Sequence, residues 1–239
     1  MPPTPSPLSN ALLTTASTAA FPGFRENRFL HWMCIGVAAA LLISAYHPER
    51  VFDWWLENAL VLSFLVGLVF GYRYLPFSDL SYLLILMFLS LHEWGAHYKY
   101  SDVPLGEWMK PWLHTQRNHY DRVIHFSFGL ALAYPMQEVF LRVVRVTGRW
   151  RYILPVGATL AFSAIYEMME AGMAMVLTPQ RAEEFVGMQG DIFDSQKDMF
   201  DAGIGSLVAM LAIWAIRRRR ARSAAEAPPE AARYATSSR

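Results

Sequence analysis

Six apolar stretches, each close to the length of a bilayer-spanning helix, leave this chain few folds to choose from. They run from about Phe29 to Tyr46, Trp54 to Tyr72, Leu80 to Tyr98, Val123 to Leu141, Tyr152 to Leu177 and Met199 to Ile216. A helix needs about 20 predominantly apolar residues to cross a bilayer. Inside lipid, only helices and closed barrels satisfy their own backbone. The first stretch is short and the fifth long, which tilt or partial immersion accommodates. The pattern predicts an all-α polytopic membrane protein, a bundle of six transmembrane helices over residues 25–217. Composition agrees, because only 17% of the residues are charged, against about 25% in a soluble domain. Residues 1–24, rich in Pro, Ser, Thr and Ala, are expected to be a disordered N-terminal tail. They lack the basic-then-apolar pattern of a cleavable signal peptide. Residues 218–239 are expected to be a basic, then disordered, C-terminal tail.

Basic residues set the expected orientation. With both termini cytoplasmic, 14 of the 21 Lys and Arg lie inside, as the positive-inside rule favours. The Arg217–Arg220 run then reads as a stop-transfer anchor against anionic headgroups rather than a nucleic-acid contact. Net charge is +1, so charge alone implies no nucleic-acid partner. The single Cys34 excludes an intramolecular disulfide. In this orientation the loops over residues 99–122 and 178–197 face outward, and nearly every unusual polar residue lies in them or at the helix ends they join.

The stretch Gln189–Gly205 carries Asp191, Asp194, Asp198 and Asp201 and runs into the sixth apolar segment. Asp194, Asp198 and Asp201 share one helical face by their i, i+4, i+7 spacing. An ionised carboxylate at the depth of Asp201 costs roughly 2.5–3.5 kcal/mol on insertion scales, so a partner is expected. Asp194 or Ser195 can serve as N-cap, and Gly203 and Gly205 form a small face that lets another helix approach.

Three further groups carry polar chemistry. His92, Glu93 and His97 end the third segment, but the two histidines stand about 140° apart on a helix of 3.6 residues per turn. They share an ion only if the helix ends between them, for which Gly95 is placed. Asn118, His119, Asp121, Arg122 and His125 open the fourth segment. Asp121 and His125 are one turn apart, so the carboxylate can orient the imidazole, and Arg122 can clamp a phosphate or an aspartate. In the fifth segment, Tyr166, Glu167 and Glu170 lie among apolar residues. Two acids at i, i+3 there take a proton, meet a base or bind a cation. Each group also has a plain structural reading, as ties between helices.

The sequences RNHYDRVIHF, SAIYEMMEAGMA and MQGDIFDSQKDMFDAGIGSLVAM, in that order, resemble the YjdF-like family of bacterial inner-membrane proteins. The resemblance covers residues 26–217 and implies a six-helix bundle in the bacterial inner membrane; it implies no activity. A second resemblance is to VanZ-like membrane proteins, in Asp121-Arg122 with His125-Phe126, in Glu167 and Glu170, and in Asp194 with Asp198 and Gly205. The chain departs from that pattern with Arg122 where Lys is usual and no Asn between Asp198 and Gly205. This likeness points to envelope lipids or glycolipids.

Together these readings predict an outward-facing polar site for an envelope lipid or lipid-linked phosphate. His125, Asp121, Glu167 and Glu170 are the acid–base candidates. Arg122, His92, Glu93, Asn118, His119, Tyr166 and Gln189 are the ligand contacts. Asp194, Asp198 and Asp201 are the expected ligands of a divalent metal ion. Two other functions fit the same residues: a proton-coupled transporter, which needs a continuous polar track to the inner face, and a structural protein whose acids and bases tie helices together.

Overall fold

The structure, a computed structural model, describes residues 23–186 and 188–226. Of the tails expected over residues 1–24 and 218–239, residues 1–22 and 227–239 lie outside the described residues. Ten helical elements follow one another, and no strand occurs among the described residues. They are α1 (Arg28–Ala45), α2 (Val51–Tyr72), α3 (Asp79–Tyr98), a 3-10 turn (Tyr100–Asp102), α4 (Pro104–Leu113), α5 (Tyr120–Val139), a π turn (Phe140–Val144), α6 (Trp150–Val176), α7 (Pro179–Val186) and α8 (Asp194–Glu226).

Four of these are long and apolar enough to cross a membrane: α1, α2, α6 and the Asp194–Ser223 part of α8. The expectation of six rests on α3 and α5 as well. Both have 20 residues, about 30 Å of helix. Their apolar character is diluted by the residues that make them interesting: His92, Glu93 and His97 in α3, and Asp121, Arg122, His125, Gln137 and Glu138 in α5. The expected long outer loops contain helices too. Pro104 and Pro179 each open one, where a missing N–H costs nothing. The last helix runs to Glu226, well past residue 217, because nothing in the Arg- and Ala-rich run breaks it.

Apolar side chains cover the outside and polar ones fill much of the inside. Leu42, Val69, Phe70 and Met175 are exposed, while Glu57, Asn58, Glu93, Gln137 and Asp198 are buried. That inversion is what lipid as solvent selects. At the centre stands α5, packed on α3, α6 and α8. Its closest neighbour is α8. A Cβ on Gly129 would lie 1.9 Å from the Ala202 carbonyl oxygen, and one on Gly205 2.1 Å from that of Phe126. Only glycine permits that approach. Gly203 instead faces Leu160 of α6. Both expected small positions therefore serve helix packing.

Two apolar layers cross the bundle. Val61, Ile85, Leu89 and Leu132 join α2, α3 and α5. Ala133, Ala209 and Met210 join α5 to α8. Below them, Gln137 Nε2 donates to the Arg151 carbonyl at 2.7 Å and Arg217 Nη2 donates to Gln137 Oε1 at 3.4 Å. Thus α5 lies alongside both α6 and α8 at this end, as it does at the other through Asp121, His125 and Arg122. In the same way α3 accompanies α1: Asn27 Nδ2 donates to Asp79 at one end, and His97 Nδ1 meets the Ser44 carbonyl oxygen at the other.

Candidate functional site

The chain's polar residues converge where α5 and α8 begin and α3 and α6 end. Two loops close over this end, and Asn118 ties them together. Its backbone N–H donates to Gln189 Oε1 at 2.9 Å, and Gln189 Nε2 donates to its carbonyl at 3.1 Å. Its side chain donates to the Val103 carbonyl and to Glu107, and accepts from the Tyr120 N–H. A Cβ on Gly106 would collide with Asn118 Oδ1 at 1.6 Å, so the α4 glycine is what admits the amide. Asn118 and Gln189, expected as ligand contacts, are engaged with each other.

Inside the loops sits a guanidinium–aspartate lattice. Arg122 Nη2 lies 2.5 Å from Asp194 Oδ1 and 3.3 Å from Asp191, and Nη1 lies 2.7 Å from Asp198 Oδ1. Arg117 donates to the same Asp194 oxygen at 2.5 Å and to the Met188 carbonyl. Asp194 is thus the first residue of α8, with its carboxylate spent on two arginines. The carboxylate of Asp191 closes the loop locally by accepting from the Phe193 N–H and Lys197. The Lys197 bond, the Phe193 bond and the nearby Arg122 charge hold its carboxyl below the usual range.

One turn further along α5, His125 Nε2 lies 3.6 Å from Asp121 and 3.4 Å from Glu167 Oε1. Asp121, His125 and Asp198 each present one ligand atom within 4.8 Å of the others. Among the described residues this is the group of His, Cys, Asp and Glu placed to share a cation. Of the expected metal trio, Asp198 belongs to it. Asp194 is held by the arginines, and Asp201, half-buried, stands outside it.

Beside this group lies a cavity of about 20 Å³, lined by Glu57, Lys99, Tyr100, Asp121, Tyr166 and Glu170 together with Phe185 and Val186. That is room for a water or an ion. Tyr166 donates to Glu57 Oε2 at 2.9 Å. Glu167 and Glu170 part company here: the first turns to His125, the second to the cavity.

The third segment's residues divide similarly. Tyr100 and His92 Nδ1 are 2.7 Å apart, and burial holds the Tyr100 phenol well above its ordinary range. The α3 helix continues through Gly95 to Tyr98, and Gly95 makes room for the Tyr100 ring, which an added Cβ would meet at 2.8 Å, rather than ending the helix. His92 and His97 consequently point to different partners. Glu93 is buried, with Ser44 and Asn58 beside its carboxylate. His119 precedes α5, and burial plus the charges of Arg117 and Arg122 keep its imidazole below its ordinary value.

Sequence reasoning missed Glu57, Tyr100 and Arg117. The signal for Glu57 was available, since an acid in VFDWWLENALVLSF is as costly as one in the fifth segment. Nothing local distinguished Arg117 or Tyr100 from other loop residues.

A helical bundle that is apolar outside, polar within, and buries its acids and bases at one end is an integral membrane protein. The chain belongs to the family described as predicted membrane protein (DUF2238), whose pattern matches residues 29–219. It is similar to the inner membrane protein YjdF of Escherichia coli (strain K12), with 34% identity over 183 residues, 76% of this chain and 87% of that protein. The VanZ-like resemblance finds no support in these matches. No solved structure matches the chain.

Proposed function

We propose that this is a six-pass protein of the bacterial inner membrane, with both termini cytoplasmic, whose outward end binds the phosphate-bearing head of an envelope lipid. Membership in a family with an Escherichia coli inner-membrane relative supports the location. Six spans are supported by the way α5 accompanies α6 and α8, and α3 accompanies α1, from one end to the other. The observation that carries the ligand reading is the burial of His125, Glu167 and Asp198, with Asp121 half-buried among them, beside a water-sized cavity at the headgroup end of the bundle.

That end also offers an interfacial surface. Trp108 and Trp112 of α4 are exposed side by side, with ring centroids 5.9 Å apart and the rings tilted by 50°, and Trp prefers the membrane interface. An amphiphile reaches such a site more readily than a diffusing solute. His125, Asp121, Glu167 and Glu170 can then hold or move protons around the bound head. Proton-coupled transport is disfavoured. From His125 to Leu132 is seven residues, about 10 Å along the helix, and there the apolar layer of Val61, Ile85, Leu89 and Leu132 closes the side of α5 that faces α2 and α3 to a polar track.

The test is lipid retention in nanodiscs, read by native mass spectrometry. A lipid with a bare phosphate head is offered against the same lipid with a phosphocholine head. The wild-type protein should retain the first preferentially, and Glu170→Gln and Tyr166→Phe should reduce that preference. Equal retention of the two lipids would overturn the reading.

A further inference from the structure

Arg117 and Arg122 are committed to Asp191, Asp194 and Asp198. Asp121 and Glu167 meet the His125 imidazole instead. An arriving phosphate would therefore face carboxylates rather than free guanidinium donors. A bound cation removes that conflict.

We propose that Asp121, His125 and Asp198, joined by Glu167, bind one divalent transition-metal ion of zinc or manganese type. The proposal deepens the lipid reading above and rests on it for its biological purpose. Its geometry stands on its own. Asp121 and His125 project from one turn of α5, Asp198 from the first turns of α8 and Glu167 from α6. Ligands of a tetrahedral ion bound at about 2.0–2.2 Å stand about 3.3–3.6 Å apart, so a trio already within 4.8 Å closes on an ion with side-chain shifts of about an ångström or less.

Two oxygens in this cluster accept no aligned hydrogen bond, and only one of them has a guanidinium beside it. Glu167 is 6% exposed, and its Oε1 accepts no hydrogen bond although it lies 3.4 Å from His125 Nε2. Asp198 is 2% exposed, and its Oδ1 touches Arg122 at 2.7 Å without an aligned hydrogen bond. Leaving such groups unsatisfied costs about 1–3 kcal/mol each, and more when charged. One ion satisfies both. The donor set also selects the ion. Imidazole with carboxylates suits zinc, manganese or ferrous iron, whereas calcium and magnesium prefer oxygen alone. The scaffold is close-packed, since Gly129 against Ala202 and Gly205 against Phe126 hold α5 to α8 within two turns of the site.

The experiment uses the full-length chain with its purification tag removed, isolated without chelators into nanodiscs. Metal content is read by elemental mass spectrometry, and Zn2+ and Mn2+ binding by calorimetry against excess Mg2+. Wild type should carry close to one transition ion per chain, or take up one on addition. His125→Ala should lose it, and Glu167→Gln should bind about 10- to 100-fold more weakly, as supporting carboxylates do. Asp198 is left intact because it also pairs with Arg122. Should His125→Ala fail to fold, His125→Gln and Asp121→Asn carry the same test. A wild-type protein that neither carries nor binds a transition ion overturns the proposal, as do variants that bind like wild type. Protons on the acids would then settle the charge. Metal without preferential retention of the phosphate-headed lipid keeps the cation site and removes the lipid reading. Lipid retention without metal does the reverse.

Discussion

Replacing Arg122 by Gln separates two roles that a buried guanidinium can fill. A hook held ready for a ligand is expendable for folding, and removing an unmatched charge can even stabilise the chain. A strut is not expendable. Arg122 reaches Asp191, Asp194 and Asp198, and its side chain is 12% exposed. Breaking a buried ion pair from one side strands the other charge and costs about 3–5 kcal/mol. Arg117 still covers Asp194, which leaves Asp198 as the main casualty. Thermal unfolding in detergent should therefore show Arg122→Gln markedly destabilised, with Arg122→Gln/Asp198→Asn recovering part of the loss. A single variant as stable as wild type would return Arg122 to the role of ligand hook.

At the scale of elements, the pairing of α5 with α8 positions everything else. Those helices touch through backbone, so Gly205→Ala would drive a methyl into the Phe126 carbonyl and Gly129→Ala one into that of Ala202. Overpacking of this kind costs about 1–3 kcal/mol or more, and it also draws Asp198 away from His125. Both variants should unfold at lower temperature and lose whatever ligand the cluster holds, whereas Gly67→Ala, with open space around it, should change neither. Much of this was legible beforehand. The apolar stretches predict all six long helices to within a few residues at most ends, because a segment that must satisfy its backbone in lipid has little freedom. Gly203 and Gly205 announce a close approach, and Glu167, Asp121 and His125 announce themselves by their cost in an apolar setting. What the chain does not reveal locally is which partner each acid finds. Asp194 and Asp198 have the same residue type and nearly the same neighbours, yet one closes an arginine lattice and the other also faces the imidazole. Their difference is set by the crossing of α5 and α8, a tertiary fact. The short helices α4 and α7 escaped because residues 99–122 and 178–197 read as polar loops, although Pro104 and Pro179 sit where helices begin.

For the whole molecule the question is how many times the chain crosses the membrane, and the site itself bears on the answer. With only α1, α2, α6 and α8 crossing, the chain over α3, α4 and α5 would stay on the cytoplasmic side, and both termini would be cytoplasmic as well. The termini therefore do not discriminate between four and six spans, but α4 does. In a six-pass protein Lys110 faces outward; in a four-pass protein it faces inward. The contacts favour six. His125 of α5 lies against Glu167, in the second half of α6, while Gln137 reaches the Arg151 carbonyl at the start of α6. An α6 that crosses the bilayer thus has α5 beside it over most of the distance, which is the arrangement that six crossings require. A Cys34→Ser background frees the chain of its own thiol. Single cysteines at Lys110 and at Arg222, probed with a membrane-impermeant maleimide on intact cells, then decide the matter. Lys110→Cys should label without permeabilisation and Arg222→Cys only after it. If both require permeabilisation, α3 and α5 do not cross, and the buried acids and His125 would no longer lie at the outward headgroup level that the lipid reading requires.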